Sequence, residues 1–232
     1  MSEISENVKA VLDGIAQAAV SAGRRPEDIS LVAASKMNSA ERVREAIAAG
    51  VRICGENRVQ ELEEKLGQNA YDGSQVHFIG HLQRNKVKNV VGRVQLIQSV
   101  DSLTLMELID KRAKERGTVQ DMLFEVNIGG EAAKSGADPA FVDELAARAA
   151  EFGGLRVRGL MCIPPFDADA AATENYFTKM YHLFVDIRRK KYDNIDMSIL
   201  SMGMSGDYRL AIACGANMVR VGTAIFGMRQ YK

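Results

Sequence analysis

Lys36 closes a run of small and apolar residues, Ile29-Ser30-Leu31-Val32-Ala33-Ala34-Ser35, and a helix signal begins directly after it. An ammonium group is costly to dehydrate, so a lysine where a buried strand hands over to a helix needs a reason. Two chemistries supply one. The amine can pair with a bound anion, or it can form an imine with a carbonyl once partial burial and nearby cations lower its pKa from about 10.4. Near the other end of the sequence, "SMGMSGD" (201–207) and "RVGTAIFG" (220–227) are glycine loops carrying hydroxyls. Glycine lets backbone N–H groups approach a phosphate closely, and a hydroxyl adds a directed donor. Ser201, Gly203, Ser205 and Gly206 offer this chemistry on one loop, and Gly222 and Thr223 on the other. Taken alone, each loop is weak evidence and reads more readily as an ordinary turn and helix cap; it is the pair, at the right barrel positions, that raises the phosphate reading to equal standing. Arg220 lies two residues before Gly222, so both fall on the same side of an extended strand.

The elements that must position these residues are read from periodicity. Short apolar, β-branched segments predict strands at 29–35, 52–55, 76–80, 96–100, 122–128, 157–163, 199–203 and 218–222. Between them run helical stripes: Ile4, Val8, Val11, Ile15 and Ala18; Ala40, Val43 and Ile47; Met106, Ile109 and Ala113; Val142, Leu145, Ala149 and Phe152; Phe177, Met180, Phe184 and Ile187. Gly50, Gly67 and Gly117 sit where helices should stop, and Asn38 with Glu41 predicts a capping box. No low-complexity linker divides the chain. Eight strands alternating with helices in 232 residues predict a single α/β domain over 1–232, a (β/α)8 TIM barrel with an extra N-terminal helix. An open doubly wound sheet is the competing architecture.

In such a barrel the chemistry lies at the C-terminal strand ends, and phosphate commonly sits on the loops after strands seven and eight. Closure would put strand one beside strand eight, and Lys36 beside the two glycine loops. The other strand ends carry Glu56 and Asn57, His81, Asp101 and Ser102, Asn127, and the "MCIPP" stretch from Met161. His81 reads as a loop residue or a ligand contact, Glu56 as a cap or a base, and Asp101 as the cap of the following helix. A ligand with an aldehyde and a phosphate on one flat ring, pyridoxal 5′-phosphate, would join the lysine and the loops in one site. An arginine such as Arg220 facing its ring nitrogen would weaken it as an electron sink.

Composition narrows the partners. Thirty basic residues balance thirty acidic ones, which argues against nucleic acid or a membrane surface as the main partner. The "RRKKY" run at 188–192 reads as a solvated helix end. Cys54, Cys162 and Cys214 are few and far apart, so they read as buried free thiols in a reducing compartment. His77 and His182 lack partners at metal spacing, and no metal site is expected. The first residues lack the order of a signal peptide and no apolar run spans a bilayer, which points to a cytoplasmic protein.

Seven motifs in register then carry a resemblance: "LVAASK" (31–36), "GENRVQE" (55–61), "HFIGHLQRNK" (77–86), "SVDS" (99–102), "RGLMCIP" (158–164), "LSMGMSGD" (200–207) and "VRVGTAIFG" (219–227). The sequence resembles the pyridoxal phosphate homeostasis protein family, whose fold is similar to the barrel of alanine racemase. The resemblance covers nearly the whole chain. It implies that Lys36 is the aldimine lysine, that Ser205, Gly222 and Thr223 hold the phosphate with Met204 on the same loop, and that Arg220 faces the pyridine nitrogen. Asn57, His81, Met161 and Ser201 would line the ring or its approach. Two departures touch the pocket rim: Met37-Asn38-Ser39 stands where a threonine and proline are usual, and Arg58 replaces a tyrosine.

The resemblance implies intracellular vitamin B6 homeostasis with little turnover, with cofactor-requiring apo-enzymes as recipients and a monomer or weak dimer as the assembly. The sequence ends five residues after "IFG", where a racemase would continue into a domain that closes the site, and an open pocket stabilises carbanions poorly. The alternative is a racemase or other α-carbon enzyme, with Lys36 and His81 as its two proton-transfer groups. A sugar-phosphate aldolase sharing the lysine and the loops is a third reading.

Overall fold

The computed structural model describes residues 2–131 and 135–228. Eight strands hydrogen-bond in chain order and β8 returns to β1, closing the barrel. The strands are β1 Ser30–Ala34, β2 Ile53–Glu56, β3 Gln75–Phe78, β4 Leu96–Val100, β5 Gln120–Val126, β6 Leu155–Cys162, β7 Ile195–Ser201 and β8 Met218–Val221. Among the described residues the α-helices are α1 Glu3–Ser21, α2 Ala40–Ala48, α3 Val59–Gly67, α4 Val87–Val90, α5 Leu103–Glu115, α6 Val142–Ala149, α7 Ala170–Lys190, α8 Tyr208–Ala213 and α9 Thr223–Phe226. This is the predicted α/β barrel with its leading helix. Among the described residues no helix is long and apolar enough to cross a membrane.

The chain groups into two compact units, one holding residues up to His77 and from Met202 onward, the other Phe78–Ser201. In the first unit, Ser2 caps α1 by accepting from the Ser5 amide, and Glu3 and Glu6 suit the positive end of its dipole. The buried stripe Ile4, Val8, Val11, Ile15 and Ala19 turns inward. Asn7 on α1 donates to the Ile225 carbonyl at 3.1 Å, and Arg24 just beyond it donates to the Ala216 carbonyl at 2.6 Å. The predicted Asn38–Glu41 capping box does not form. Ser39 caps α2 instead, while Asn38 donates to the Lys36 carbonyl and accepts from the Arg42 side chain. The start of the helix is one residue later than the pattern suggests, which frees Asn38 to brace the turn.

His77 is 3 % exposed on β3, and burial pushes its imidazole down to about 4. In the unfolded chain the same group takes up a proton near 6.5. Between those values the unfolded state binds more protons, so stability falls as pH drops from about 6.5 toward 4. We expect unfolding by urea at pH 5 to show about 2 kcal/mol less stability than at pH 7 from this group alone. The His77→Gln variant should lose that part of the pH dependence, and an unchanged slope would overturn the assignment.

The second unit holds β4 to β7 in register. β6 carries a bulge: Val157 and Gly159 face the consecutive residues Met122 and Leu123, leaving Arg158 extra. Gly159 has φ +150°, and an added Cβ would overlap the carbonyl oxygen of Ile199. Beyond the bulge Met161 pairs with Glu125 on one side and Ser201 on the other. Asp101 does not cap α5. Ser102 occupies that position, with no side-chain capping bond. The stripe of α6 ends at Ala149, short of Phe152.

Candidate functional site

Within the first unit the end of β1 meets the start of α9. Val32 pairs with Arg220 and Ala33 with Val221, so the chain leaving β8 at Gly222 passes Ala34. A Cβ on Gly222 would stand 3.4 Å from both the Ala34 Cβ and its carbonyl oxygen. Lys36 follows two residues later, half-buried, and is flanked by buried Ser35 and exposed Met37. Closure of β8 onto β1 therefore brings Lys36 to the glycine loop of residues 222–227, as the sequence predicts.

The loop after β7 reaches the same place. The Arg220 amide donates to the Gly203 carbonyl at 2.9 Å, which fixes that loop on β8. Ser205 Oγ accepts from both the Gly222 and Ala224 amides at 3.3 Å. Two backbone donors thus converge on one oxygen, the arrangement in which an anionic oxygen is held. Met204 is braced by Asp207, whose carboxylate accepts from its amide at 2.5 Å. Arg220 is 4 % exposed. Thr223 is exposed at the first position of α9.

Asn57, at the end of β2, is half-buried, and its Oδ1 is fully buried without a hydrogen-bond partner. Lys36 also lines a cavity of about 430 Å³ with Met37, Asn38, Arg42, Phe226, Gly227, Met228 and Glu3. Its walls include none of Ser205, Arg220, Gly222 or Thr223. Arg58, one of the two departures, is exposed ahead of α3 and makes no side-chain capping bond.

The remaining predicted residues belong to the second unit. Met161 is fully buried. Ser201 donates to Gln98 Oε1 at 2.7 Å, a bond between β7 and β4, which are not neighbours in the sheet. His81 is exposed and lines a cavity of about 370 Å³ with Leu82, Arg84, Asp101, Ser102 and Leu105. Among the described residues no group of His, Cys, Asp or Glu could hold a metal ion. Cys54 and Cys162 are buried, and burial pushes the Cys54 thiol up to about 11. Cys214 is only half-buried, since it falls at the end of α8 rather than in a stripe.

One constellation escapes the sequence reading. Glu56 is 0 % exposed, and its Oε1 accepts from Ser35 Oγ at 2.6 Å, Lys65 Nζ at 2.6 Å and Tyr71 OH at 2.9 Å. Burial and the adjacent Glu56 carboxylate both hold the Tyr71 phenol well above its ordinary value. Glu56 is therefore neither a helix cap nor an open base. A signal was available: Val59, Leu62 and Lys65 recur every three residues, so the lysine lies on the buried stripe of α3.

Comparison with known proteins agrees with the fold. The family model described as "Alanine racemase, N-terminal domain" matches residues 16–230. A pyridoxal phosphate homeostasis protein of Aquifex aeolicus is 41% identical over 97% of this chain and 98% of its own length. A crystal structure of an unknown protein from Bifidobacterium adolescentis superposes with a TM-score of 0.91 at 39% identity, covering 97% of this chain and 94% of that one. PipY of Synechococcus elongatus PCC7942, solved with PLP bound, gives 0.81 at 35% identity, covering 92% of this chain and all 100% of its own.

Proposed function

The chain belongs to the pyridoxal phosphate homeostasis family, built on the alanine racemase N-terminal domain, and from that premise we propose that it binds and holds pyridoxal 5′-phosphate as part of intracellular vitamin B6 homeostasis, with little or no turnover. The observation that carries this reading is the convergence of the Gly222 and Ala224 amides on Ser205 Oγ, beside the strand that delivers Lys36. The unpartnered, buried Asn57 Oδ1 fits a ligand that brings its own donor. When bound, the cofactor supplies an aldehyde and an aromatic electron sink.

Lys36 is the residue we assign to hold it covalently, with Ser205, Gly222 and Thr223 binding the phosphate and Met204 completing that loop. Arg220, always protonated and a donor only, would hold the ring nitrogen as an acceptor. That keeps the nitrogen unprotonated and the sink weak. Asn57, His81, Met161 and Ser201 are assigned to the ring and its approach. We place the function in one domain over 1–232, in the cytoplasm, in a monomer or weak dimer. Apo-enzymes that require the cofactor would be its recipients, with neither nucleic acid nor membrane as a partner.

The test combines binding with exchange. Protein mixed with pyridoxal 5′-phosphate and passed through gel filtration should keep a visible absorbance. In deuterated water it should exchange the α-proton of common amino acids no faster than the free cofactor does. Failure to retain the absorbance sinks the binding reading. Fast exchange replaces holding with racemase-type catalysis, and His81→Ala then shows whether His81 takes part.

A further inference from the structure

The peptide groups on both sides of Lys36 are gripped by one helix. On the N-terminal side, the Ser35 carbonyl accepts from Lys65 Nζ at 2.8 Å, and the Ser35 hydroxyl is tied to Glu56. On the C-terminal side, the Met37 amide donates to Glu61 Oε2 at 2.6 Å. Glu61 and Lys65 stand one turn apart on α3, their charged groups 3.6 Å from each other. Met37 sits at φ +61°, a left-handed conformation that costs a non-glycine residue about 1 kcal/mol.

Stability alone does not account for this arrangement. A buried lysine–glutamate pair pays a large desolvation penalty, and well-packed apolar side chains often serve as well or better. Lys65 is 5 % exposed and Glu56 0 %, so that penalty is present here. What an apolar stripe would lack is direction. Lys65 and Glu61 each meet a defined backbone atom, one before and one after Lys36, and together they fix the path of the chain through it. We propose that Glu61 and Lys65 are positioning residues that set the backbone of Lys36 so that its amine is presented to a carbonyl ligand. This inference rests on the cofactor reading given above.

The test measures capture at Lys36 directly. Protein is mixed with pyridoxal 5′-phosphate, quenched with borohydride at increasing times, and Lys36 labelling is followed by peptide mass mapping. Glu61→Ala should slow labelling about tenfold, in line with the sensitivity of reactions to small misplacements. Glu61→Gln keeps an oxygen for the Met37 amide and should stay within about twofold of wild type. Leu62→Ala weakens the same helix from its buried face without touching either peptide, and should label at the wild-type rate. In protein without cofactor, hydrogen exchange at the Met37 amide should accelerate in Glu61→Ala and not in Glu61→Gln. Lys65→Met should slow labelling and Lys65→Arg should restore part of it. If Lys65→Met does not fold, the Glu61 series decides, because that side chain is 20 % exposed and less critical to packing. Wild-type labelling with an unaltered Glu61→Ala rate, or equal slowing by Leu62→Ala, overturns the positioning role alone. No labelling of Lys36 in wild type overturns the cofactor reading and this inference together.

Discussion

In the Lys36→Ala variant the visible absorbance of covalently held cofactor should disappear, and retention should fall at least about a hundredfold, equivalent to roughly 2.7 kcal/mol. The amine of Lys65, which bonds the peptide just before Lys36, cannot substitute. Lys65 Nζ is 5 % exposed, pairs with Glu56 at 2.6 Å and donates to the Ser35 carbonyl. The Gly222 and Ala224 amides meet Ser205 Oγ, so if these residues bind the phosphate as proposed, weak, reversible binding through Ser205 and the Gly222 loop should survive. The side chain of Lys36 is only half-buried, and its truncation should change stability by less than about 0.5 kcal/mol. Absorbance titration and thermal unfolding together check both halves. A variant that keeps the absorbance would remove Lys36 from the site.

Gly159→Ala is the second large effect. A methyl group at this position runs into the Ile199 carbonyl oxygen, a backbone atom that cannot step aside without moving β7. We expect a loss of about 4 kcal/mol, the upper range for single substitutions and the mark of a specific backbone clash. The consequence reaches two of the residues proposed to line the ring or its approach as well. The bulge at Gly159 sets the register in which Met161 faces Ser201, and a one-residue slip turns alternate side chains to the opposite face. Urea unfolding should show the loss. In whatever fraction remains folded, the cofactor absorbance should broaden or weaken. An alanine variant within about 1 kcal/mol of wild type would mean that the bulge relaxes freely, against the geometry described.

The residues with unusual chemistry at strand ends were legible because each is local. Lys36 after an apolar run and glycine loops with hydroxyls announce themselves within ten residues. The barrel was legible from repetition. Strand limits were harder where polar side chains are satisfied by distant partners. β5 begins at Gln120, which is 2 % exposed yet accepts from the Gly92 amide and donates to the Val94 carbonyl, so its polarity hid a buried strand end. β7 begins at Ile195 rather than Ile199, because Asp196 and Ser198 look like loop residues until Arg158 is seen bonded to both. The Glu56 cluster joins residues 35, 56, 65 and 71, and no short window contains them all. Its one visible trace was a lysine on an apolar stripe.

The first unit draws its parts from residues before 78 and after 201, and the Asn7–Ile225 bond spans 218 positions of sequence. During synthesis this separation becomes an order of events. Phe78–Ser201 is continuous, and its strands β4 to β7 can find their partners as they emerge. The segment bearing Lys36 can meet β2 and α3 early, while its pairing with β8 closes a long open loop at an entropic cost and comes only when β8 arrives. The peptides flanking Lys36 can thus be gripped by α3 well before the glycine loop of residues 222–227 reaches it.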